Sequence, residues 1–243
     1  MPMDADCEAH VSLPFDRYTR AIGRRIRSRL ILFGTLRHTE PVLLAFGAGS
    51  GTPVDRHYID QFLVDNADAI SGRALEVGGS DYLDRFGHDI SSIDILHRDA
   101  DAPGATIAAD LASCPHIPSG SFDCIVLTQT LHYVFDMKAA LSELHRILAP
   151  GGTVLCTVPG ISPVSRYDMD RWGDRWRLTS LSAQELFSTA FVPEDIIVKT
   201  YGNVLAALCF IEGIPADRLR QHELDAHDDD YQLIVAIRAK KSQ

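Results

Sequence analysis

Cysteine is scarce and scattered in this sequence. Its five cysteines form no CxxC pair, and the two that are nearest to each other are ten residues apart. A disulfide framework or a zinc knuckle needs paired or closely spaced cysteines, so the pattern argues against both and favours a reducing compartment. The cysteines are Cys7, Cys114, Cys124, Cys156 and Cys209.

Long apolar runs are also missing. No stretch approaches the roughly 20 apolar residues that a membrane-spanning helix needs. The opening residues, MPMDADCEAH, lack the positive charge and apolar core of a secretory signal. With 243 residues, of which 46% are hydrophobic and 23% charged, the chain can bury one sizeable core. We therefore expect a soluble cytoplasmic protein without a membrane span.

Positive charge is in deficit overall, since the formal net charge is −10. This balance makes general binding of nucleic acid improbable, because phosphate contacts need a positive surface. Residues 15–37 are the exception, with seven arginines and one acid. This stretch could contact an anionic substrate, an RNA or a membrane surface. We favour an amphipathic helix whose charged face is solvated and whose apolar residues, Ile22, Ile26, Leu30 and Phe33, pack on the core.

A third glycine is missing from the loop that reads EVGGSDY, residues 76–82. The apolar run before it predicts a strand, and DYLDRF after it predicts a helix, as at the start of a nucleotide-binding fold. Dinucleotide sites space three glycines as GxGxxG to approach a pyrophosphate. Here Gly78 and Gly79 are adjacent and an acid follows, which favours a short cationic ligand over a pyrophosphate.

Strands and helices alternate from residue 73 onward. Strands are predicted over 74–77, 91–99, 105–111, 122–130, 152–159, 194–202 and 230–240, and helices over 81–86, 137–148 and 182–191. Pro150 and Gly151-Gly152 should stop the second helix, and Ser182 should be the N-cap of the third. This order predicts an α/β fold with a doubly wound, mostly parallel sheet. Residues 1–70 are expected to be a helical cap on the same unit, and residues 71–243 the main domain.

Four stretches together resemble the class I S-adenosylmethionine-dependent methyltransferases, of the type 11-like group that acts on small molecules. They are ALEVGG, the run from AADLASC to HYVFD, ALSELHRILAPGGTVLCTVPG and the final strand pair. The resemblance implies a Rossmann-like sheet of seven strands, the last of them antiparallel. It also implies S-adenosyl-L-methionine as the cofactor and a small-molecule methyl acceptor.

The resemblance assigns cofactor-binding residues at the ends of the first and fourth strands. Glu76 matches the acid that helps to hold the methionine end. The alternative is a strand-end acid that is satisfied by a nearby backbone N–H; we favour the cofactor role. Gly78, Gly79 and Ser80 form the loop, and Thr128 closes the fourth strand toward the sulfonium.

Two further cofactor contacts come from the second and third strands. The ribose acid should follow Glu76 by some 20 residues. Asp94 and Asp99, which are 18 and 23 residues beyond it, both qualify; we lean to Asp99. Asp110 matches the acid near the adenine amino group, with the Leu111 backbone beside it, although a turn-forming aspartate is an equal alternative.

His132 is the candidate general base, because histidine titrates near neutral pH. Relatives in this group often carry an acid and a histidine here, whereas this sequence has His132-Tyr133. The alternative is that His132 caps the next helix. His57, Tyr133 and Asp168 are reserve candidates, and His145 should be structural.

The methyl acceptor is expected to contact residues 160–182, which hold both tryptophans. Trp172 and Trp176 would share a face if they lay on one helix. With Arg166 nearby they would suit a sugar ring or an anionic small molecule, although they could instead anchor the segment to the domain. Residues 49–62, which include His57, are a candidate lid.

O-methylation of a sugar or a secondary metabolite is the leading functional hypothesis. A catalytically inactive partner protein with the same fold is the first alternative. A nicotinamide-dependent oxidoreductase is less favoured, since GxGxxG is missing. RNA methylation would need the arginine-rich stretch to face the site. We expect no metal, because no His/Asp/Glu cluster has ligand spacing, and nothing in the sequence indicates an oligomeric state.

Overall fold

The computed structural model of the protein describes residues 37–242. Residues 41–242 belong to one compact unit. The predictions for residues 1–36, including the arginine-rich helix and the first part of the helical cap, lie outside the described residues. No described helix is long and apolar enough to cross a membrane.

Seven strands form one sheet, which confirms the predicted fold class. In chain order they are β1 (Gly72–Val77), β2 (Ile90–His97), β3 (Ile107–Ala108), β4 (Phe122–Thr128), β5 (Leu148–Pro159), β6 (Ile196–Tyr201) and β7 (Ile234–Lys240). Their order across the sheet is β3-β2-β1-β4-β5-β7-β6. Only β7 is antiparallel to its neighbours, β5 and β6.

Seven α-helices lie in the described part of the chain. They are α1 (Val54–Asp65), α2 (Asp81–Phe86), α3 (Met137–Ile147), α4 (Arg166–Arg171), α5 (Ser180–Phe187), α6 (Val204–Ile211) and α7 (Gln221–Asp225). Short 3₁₀ turns occur at Ala45–Gly47, Ala67–Ala69, Leu131–Tyr133, Pro193–Asp195 and Ala216–Arg218.

Helices cover both faces of the sheet. On β4, Ile125 and Leu127 join the cluster that includes α3 and α5, whereas Cys124 and Val126 join the cluster of α1, α2, α6 and α7. A parallel central strand that is buried on both faces reads as a continuous apolar run. The apolar run predicted to be a covered central strand is therefore confirmed.

Several element boundaries differ from the sequence predictions, most clearly around α3, β5 and α5. Helix α3 ends at Ile147, and Pro150–Gly152 lie inside β5, which starts early because Leu148 pairs with Phe122. Helix α5 starts at Ser180 with Thr179 as its N-cap; Ser182 is the third residue and completes a capping box.

The third predicted strand shrinks to two residues. Asp110 ends it, because its Oδ1 accepts a hydrogen bond from the backbone N–H of Ala112 at 2.9 Å and turns the chain. The turn brings Asp110 and Ser113 together as an isolated antiparallel bridge.

The strand order of the sheet reverses between β1 and β4. These neighbours are parallel, with Glu76 opposite Val126. Chain connections run to β2 and β3 on one side of this point and to β5 on the other. Ligands bind at such a switch point, beyond the carboxyl ends of the strands.

Leu144→Ala should destabilise the protein by about 2–5 kcal/mol, because it leaves a cavity between α3 and the sheet. Leu144 is fully buried, whereas Lys138 on the same helix is exposed. Chemical denaturation measures the difference, with Lys138→Ala as the control. Equal, small effects of the two changes would contradict this packing.

Candidate active site

A cavity of about 590 Å³ opens at the switch point. It is lined by residues that follow β1, β2, β3 and β4, by residues 133–136, and by Arg56, Asp168, Trp172 and Arg175. Its volume is in the range of small-molecule and cofactor sites.

Glu76 lines this cavity and connects the end of β1 to the start of α2. Its side chain is at the end of β1, and the residue is only 4% exposed. Oε2 accepts hydrogen bonds from the backbone N–H groups of Leu83 at 2.9 Å and Tyr82 at 3.2 Å. Burial raises the pKa of this carboxyl to about 7, against the opposing effect of these N–H groups. Glu76 thus lines the cavity and also fixes the start of α2, as the alternative interpretation expected.

Gly78 lets the backbone face the cavity without a side chain. Its φ is +95°, and an added Cβ would meet no atom of the protein within 4 Å. Gly79 also has open space at that position. The Gly78 N–H donates to the Leu96 carbonyl at 3.0 Å, which ties the loop to β2. Ser80 hydrogen-bonds to Asp84 instead of lining the cavity.

The charges of the cavity fit S-adenosylmethionine. Acids outnumber arginines among the lining residues, which suits a ligand that carries a sulfonium and an ammonium group and no phosphate. The acids are Glu76, Asp81, Asp110, Asp136 and Asp168, and the arginines are Arg56, Arg98 and Arg175. With the open space at Gly78, these residues fit the cofactor.

The structure brings neither candidate ribose acid to this cavity. Asp94 lies in the middle of β2, where Arg73 and Thr106 hydrogen-bond to its carboxylate. Asp99 follows the strand, and its N–H donates to His97 Nδ1 at 3.0 Å. His97 and Arg98 line the cavity where an acid was expected. The assignment of Asp94 or Asp99 to the ribose remains a prediction without geometric support.

Apart from Ser80, the other predicted cofactor residues lie together around the first cavity. Asp110, Leu111 and Thr128 all line the cavity. The Asp110 side chain also supports its own turn, so the two roles weighed for it are compatible. Their contacts with the cofactor remain predictions.

His132 lies behind the cavity wall rather than on it. It is 4% exposed, and its Nε2 is 3.9 Å from Asp174 Oδ1. Burial lowers the pKa of His132 to about 3, and the nearby Asp174 only partly offsets this. His132 is therefore neutral at neutral pH, which suits a hydrogen-bonding role better than that of a strong base.

A second cavity of about 570 Å³ adjoins the first. His132 lines it, together with residues 162–168 and apolar residues near Phe46 and Phe210. Four residues line both cavities and form what we call the shared wall: Arg56, Gln129, Tyr133 and Asp168.

Tyr133 and Asp168 interact within the shared wall. Burial raises the pKa of the Tyr133 hydroxyl, and its hydrogen bond to the Asp168 side chain raises it further. Tyr133 therefore stays protonated beside the Asp168 carboxylate. Arg56 on α1 donates to the Tyr82 hydroxyl at 2.7 Å, which attaches the predicted lid helix to the cofactor loop.

Sequence analysis missed Arg56, and it placed Gln129 at the end of the fourth strand without naming it as a binding residue. Gln129 immediately follows β4 and has a φ of 45°, a strained conformation for a residue with a side chain. The strand-end position was a usable signal for Gln129, whereas nothing in the helical pattern singled out Arg56.

Trp172 and Trp176 do not share a helix face, because α4 ends at Arg171. The Trp172 ring packs near Tyr133 and lines the first cavity. The Trp176 Nε1 donates to the Val134 carbonyl at 3.2 Å, which is an anchoring contact. Arg166 lines the second cavity, and His57 lines neither.

Comparison with known proteins identifies the family. Residues 15–195 match the family described as a methyltransferase domain. The chain belongs to this methyltransferase family. Its family is that of the class I S-adenosylmethionine-dependent methyltransferases, which argues against the oxidoreductase hypothesis.

Curated relatives share only part of their length with this methyltransferase. An uncharacterized methyltransferase of Mycobacterium tuberculosis is 35% identical over 83 residues, which is 34% of this chain and 38% of that protein. A ubiquinone/menaquinone biosynthesis C-methyltransferase of Escherichia coli is 33% identical over 95 residues, 37% of this chain and 38% of that protein. The chain thus spans less than half the length of these relatives.

Solved structures share the fold. In the complex between the Haloferax volcanii Trm112 methyltransferase activator and a methyltransferase, the matched chain has a TM-score of 0.52 at 18% identity, covering 78% of this chain and 91% of that one. An S-adenosylmethionine-dependent methyltransferase of Mesorhizobium loti has a TM-score of 0.50 at 18% identity, covering 77% and 98%.

Gly78→Ala should weaken binding of S-adenosylmethionine by at least about tenfold, since the new methyl group enters the ligand volume. Calorimetric titration measures the affinity. Gly49→Ala is the matched control: its φ is +84°, its Cβ would also meet nothing within 4 Å, and it lines neither cavity. Equal affinities in the two variants would show that the loop does not hold the cofactor.

Glu76→Gln should gain stability relative to wild type as pH rises. The pKa of Glu76 in the folded protein is about 7, above its ordinary 4.5. Its contribution to stability is therefore complete below about pH 4.5 and is lost as pH rises through 7. Between pH 4.5 and 8 the difference in unfolding free energy should shift in favour of the variant by about 1 kcal/mol or more. Glu185→Gln, at an exposed position of α5, should show no such trend. If the difference in unfolding free energy between Glu76→Gln and wild type did not change with pH, Glu76 would not be a buried, ionisable carboxyl.

Proposed function

We propose that this methyltransferase transfers the cofactor's methyl group to an oxygen of a small polar acceptor held in the second cavity. O-methylation of a secondary metabolite or a sugar is the corresponding activity. The shared wall carries the proposal, because Arg56, Gln129, Tyr133 and Asp168 belong to both cavities. Methyl transfer is an in-line displacement, so donor and acceptor must meet across one short boundary.

S-Adenosylmethionine, when bound, supplies a methyl group that is already activated by its sulfonium. The protein has to align the acceptor and exclude water. Tyr133 and Trp172 pack together with ring centroids 5.9 Å apart and narrow this region. Arg175 fixes the backbone here, donating to the Trp172 carbonyl at 2.5 Å.

His132 is proposed to hold the acceptor through Nδ1. That atom is buried without a hydrogen-bond partner among residues 37–242. Asp174, beside the other ring nitrogen, is fixed by Arg177 at 2.8 Å and by the Ser165 N–H at 2.9 Å. This arrangement orients the ring of a neutral imidazole.

Radiolabelled methyl transfer tests the proposal. The purified protein is incubated with methyl-tritiated S-adenosylmethionine and a panel of alcohols, phenols, amines, thiols and activated carbon acids. Label should enter ether products. Label in carbon-linked products would instead favour C-methylation, the reaction named for the Escherichia coli relative. Failure to bind the cofactor would contradict the cofactor site itself.

His132→Ala should lower kcat/KM for the acceptor by about tenfold, the cost of one buried hydrogen bond. The affinity for S-adenosylhomocysteine should not change, because His132 does not line the first cavity. His116→Ala, at an exposed position, is the control. A loss of S-adenosylhomocysteine binding in His132→Ala would refute its assignment to the acceptor side.

A further inference from the structure

Three buried polar atoms in the lining of the second cavity have no hydrogen-bond partner in the described part of the chain. They are Asp55 Oδ1, Gln129 Nε2 and His132 Nδ1. Each unpartnered buried polar group costs about 1–3 kcal/mol. The three residues come from α1, from the end of β4 and from the Leu131–Tyr133 turn. Three separate elements thus place residues with unmet hydrogen-bonding groups in the lining of one cavity.

The chemistry of these atoms restricts the ligand. Asp55 Oδ1 accepts a hydrogen bond when ionised, and Gln129 Nε2 only donates. A hydroxyl group both donates and accepts, so hydroxyls can satisfy both residues. An ammonium group would leave Gln129 unpaired, and a carboxylate would face the Asp55 carboxylate.

The charges that line the cavity also favour a neutral ligand. Three aspartates and three arginines line it, while burial keeps His132 neutral. Asp174 and Arg177 neutralise each other directly, with Nη2 and Oδ2 2.8 Å apart. The aspartates are Asp55, Asp168 and Asp174, and the arginines are Arg56, Arg166 and Arg177.

Apolar residues make up much of the remaining lining of the cavity. Leu43, Phe46, Phe210 and Ile211 contribute to one side. The Phe46 and Phe210 rings are stacked with centroids 5.3 Å apart, and Phe46 holds a φ of 58°, so the ring is placed by a strained backbone. A ligand of this cavity can therefore bury a hydrocarbon body against the two rings.

We propose that the second cavity selects a neutral alcohol or phenol with an apolar body, its hydroxyl held by Asp55 and Gln129. This class rests on the proposed function and narrows its acceptor. On transfer, the hydroxyl oxygen bonds to the methyl carbon as the carbon–sulfur bond breaks, with that electron pair staying on sulfur. The hydroxyl proton passes to the Asp55 carboxylate. Burial raises the pKa of Asp55, which makes it a stronger proton acceptor than an exposed aspartate.

A matched set of small ligands tests the selectivity. Phenol, benzoate, benzylammonium and toluene keep one ring and vary the polar group; methyl glucoside keeps hydroxyls without the apolar body. Binding to the protein saturated with S-adenosylhomocysteine is followed by saturation-transfer NMR. Phenol should bind about tenfold more tightly than each of the other four, the expected gain for hydrogen bonds to a charged and a polar partner.

Variants assign the preference to its residues. Asp55→Ala should remove most of the preference for phenol over toluene while binding S-adenosylhomocysteine normally, because Asp55 does not line the first cavity. Gln129→Gly should also remove most of the preference; because Gln129 lines both cavities, phenol and toluene are compared on this variant after it has been saturated at its own S-adenosylhomocysteine affinity. Glycine suits the positive φ at position 129. Asp65→Ala on the same helix, where Asp65 pairs with Lys199 at the surface, should retain the preference. If either Asp55→Ala or Gln129→Gly does not fold, the preference measured on the remaining variant tests the assignment.

Stronger binding of benzoate, benzylammonium or methyl glucoside would overturn the proposed class, as would failure of all five ligands to bind. Retention of the preference in both Asp55→Ala and Gln129→Gly would overturn the assigned residues. Each of these results leaves the proposed function standing if the protein binds S-adenosylhomocysteine. Failure to bind S-adenosylhomocysteine at the outset would refute the proposed function instead.

Discussion

The buried carboxylate of Glu76 is the constraint on which the site depends. It ends β1 and accepts the first free N–H groups of α2, at Tyr82 and Leu83. Carboxylates are favoured at helix N-termini, where unpaired N–H groups carry partial positive charge. This contact sets the course of the short loop between strand and helix, so Gly78 can present bare backbone to the cavity. The high pKa of Glu76 is the cost of placing that carboxylate where water is largely excluded.

The shared wall then links two sites that differ in character. The first cavity is rich in acids and rings, as a cationic cofactor requires. The second balances its charges and adds apolar surface from Phe46 and Phe210. Gln129 lines both cavities and has a strained backbone conformation, with a φ of 45°. Such strain is common at functional sites, where the surrounding structure holds a residue in a conformation that it rarely adopts. Helix α1 supplies the neighbouring residues Asp55 and Arg56, so its packing on the sheet positions both cavities.

The sequence predicted the sheet well because alternation of elements and burial of β4 leave a clear periodic pattern. It predicted Glu76, Gly78, Asp110 and Thr128 in one place because strand ends meet at one edge of a parallel sheet. It did not predict that Asp94 would pair with Arg73 on the neighbouring strand. The position of a residue within one strand does not show which side chain of the next strand will contact it. The proposed hydrogen-bonding roles of Asp55 and Gln129 were missed for a similar reason: they rest on unpaired buried atoms, which only the packed structure shows.

A crystal structure with S-adenosylhomocysteine bound would test the central claim that cofactor and acceptor meet at the shared wall. The arrangement predicts the ligand along the Glu76–Gly79 loop, with its sulfur beside Gln129 and Tyr133 and facing the second cavity. A sulfur that points away from these residues, or a ligand bound outside the first cavity, would contradict it.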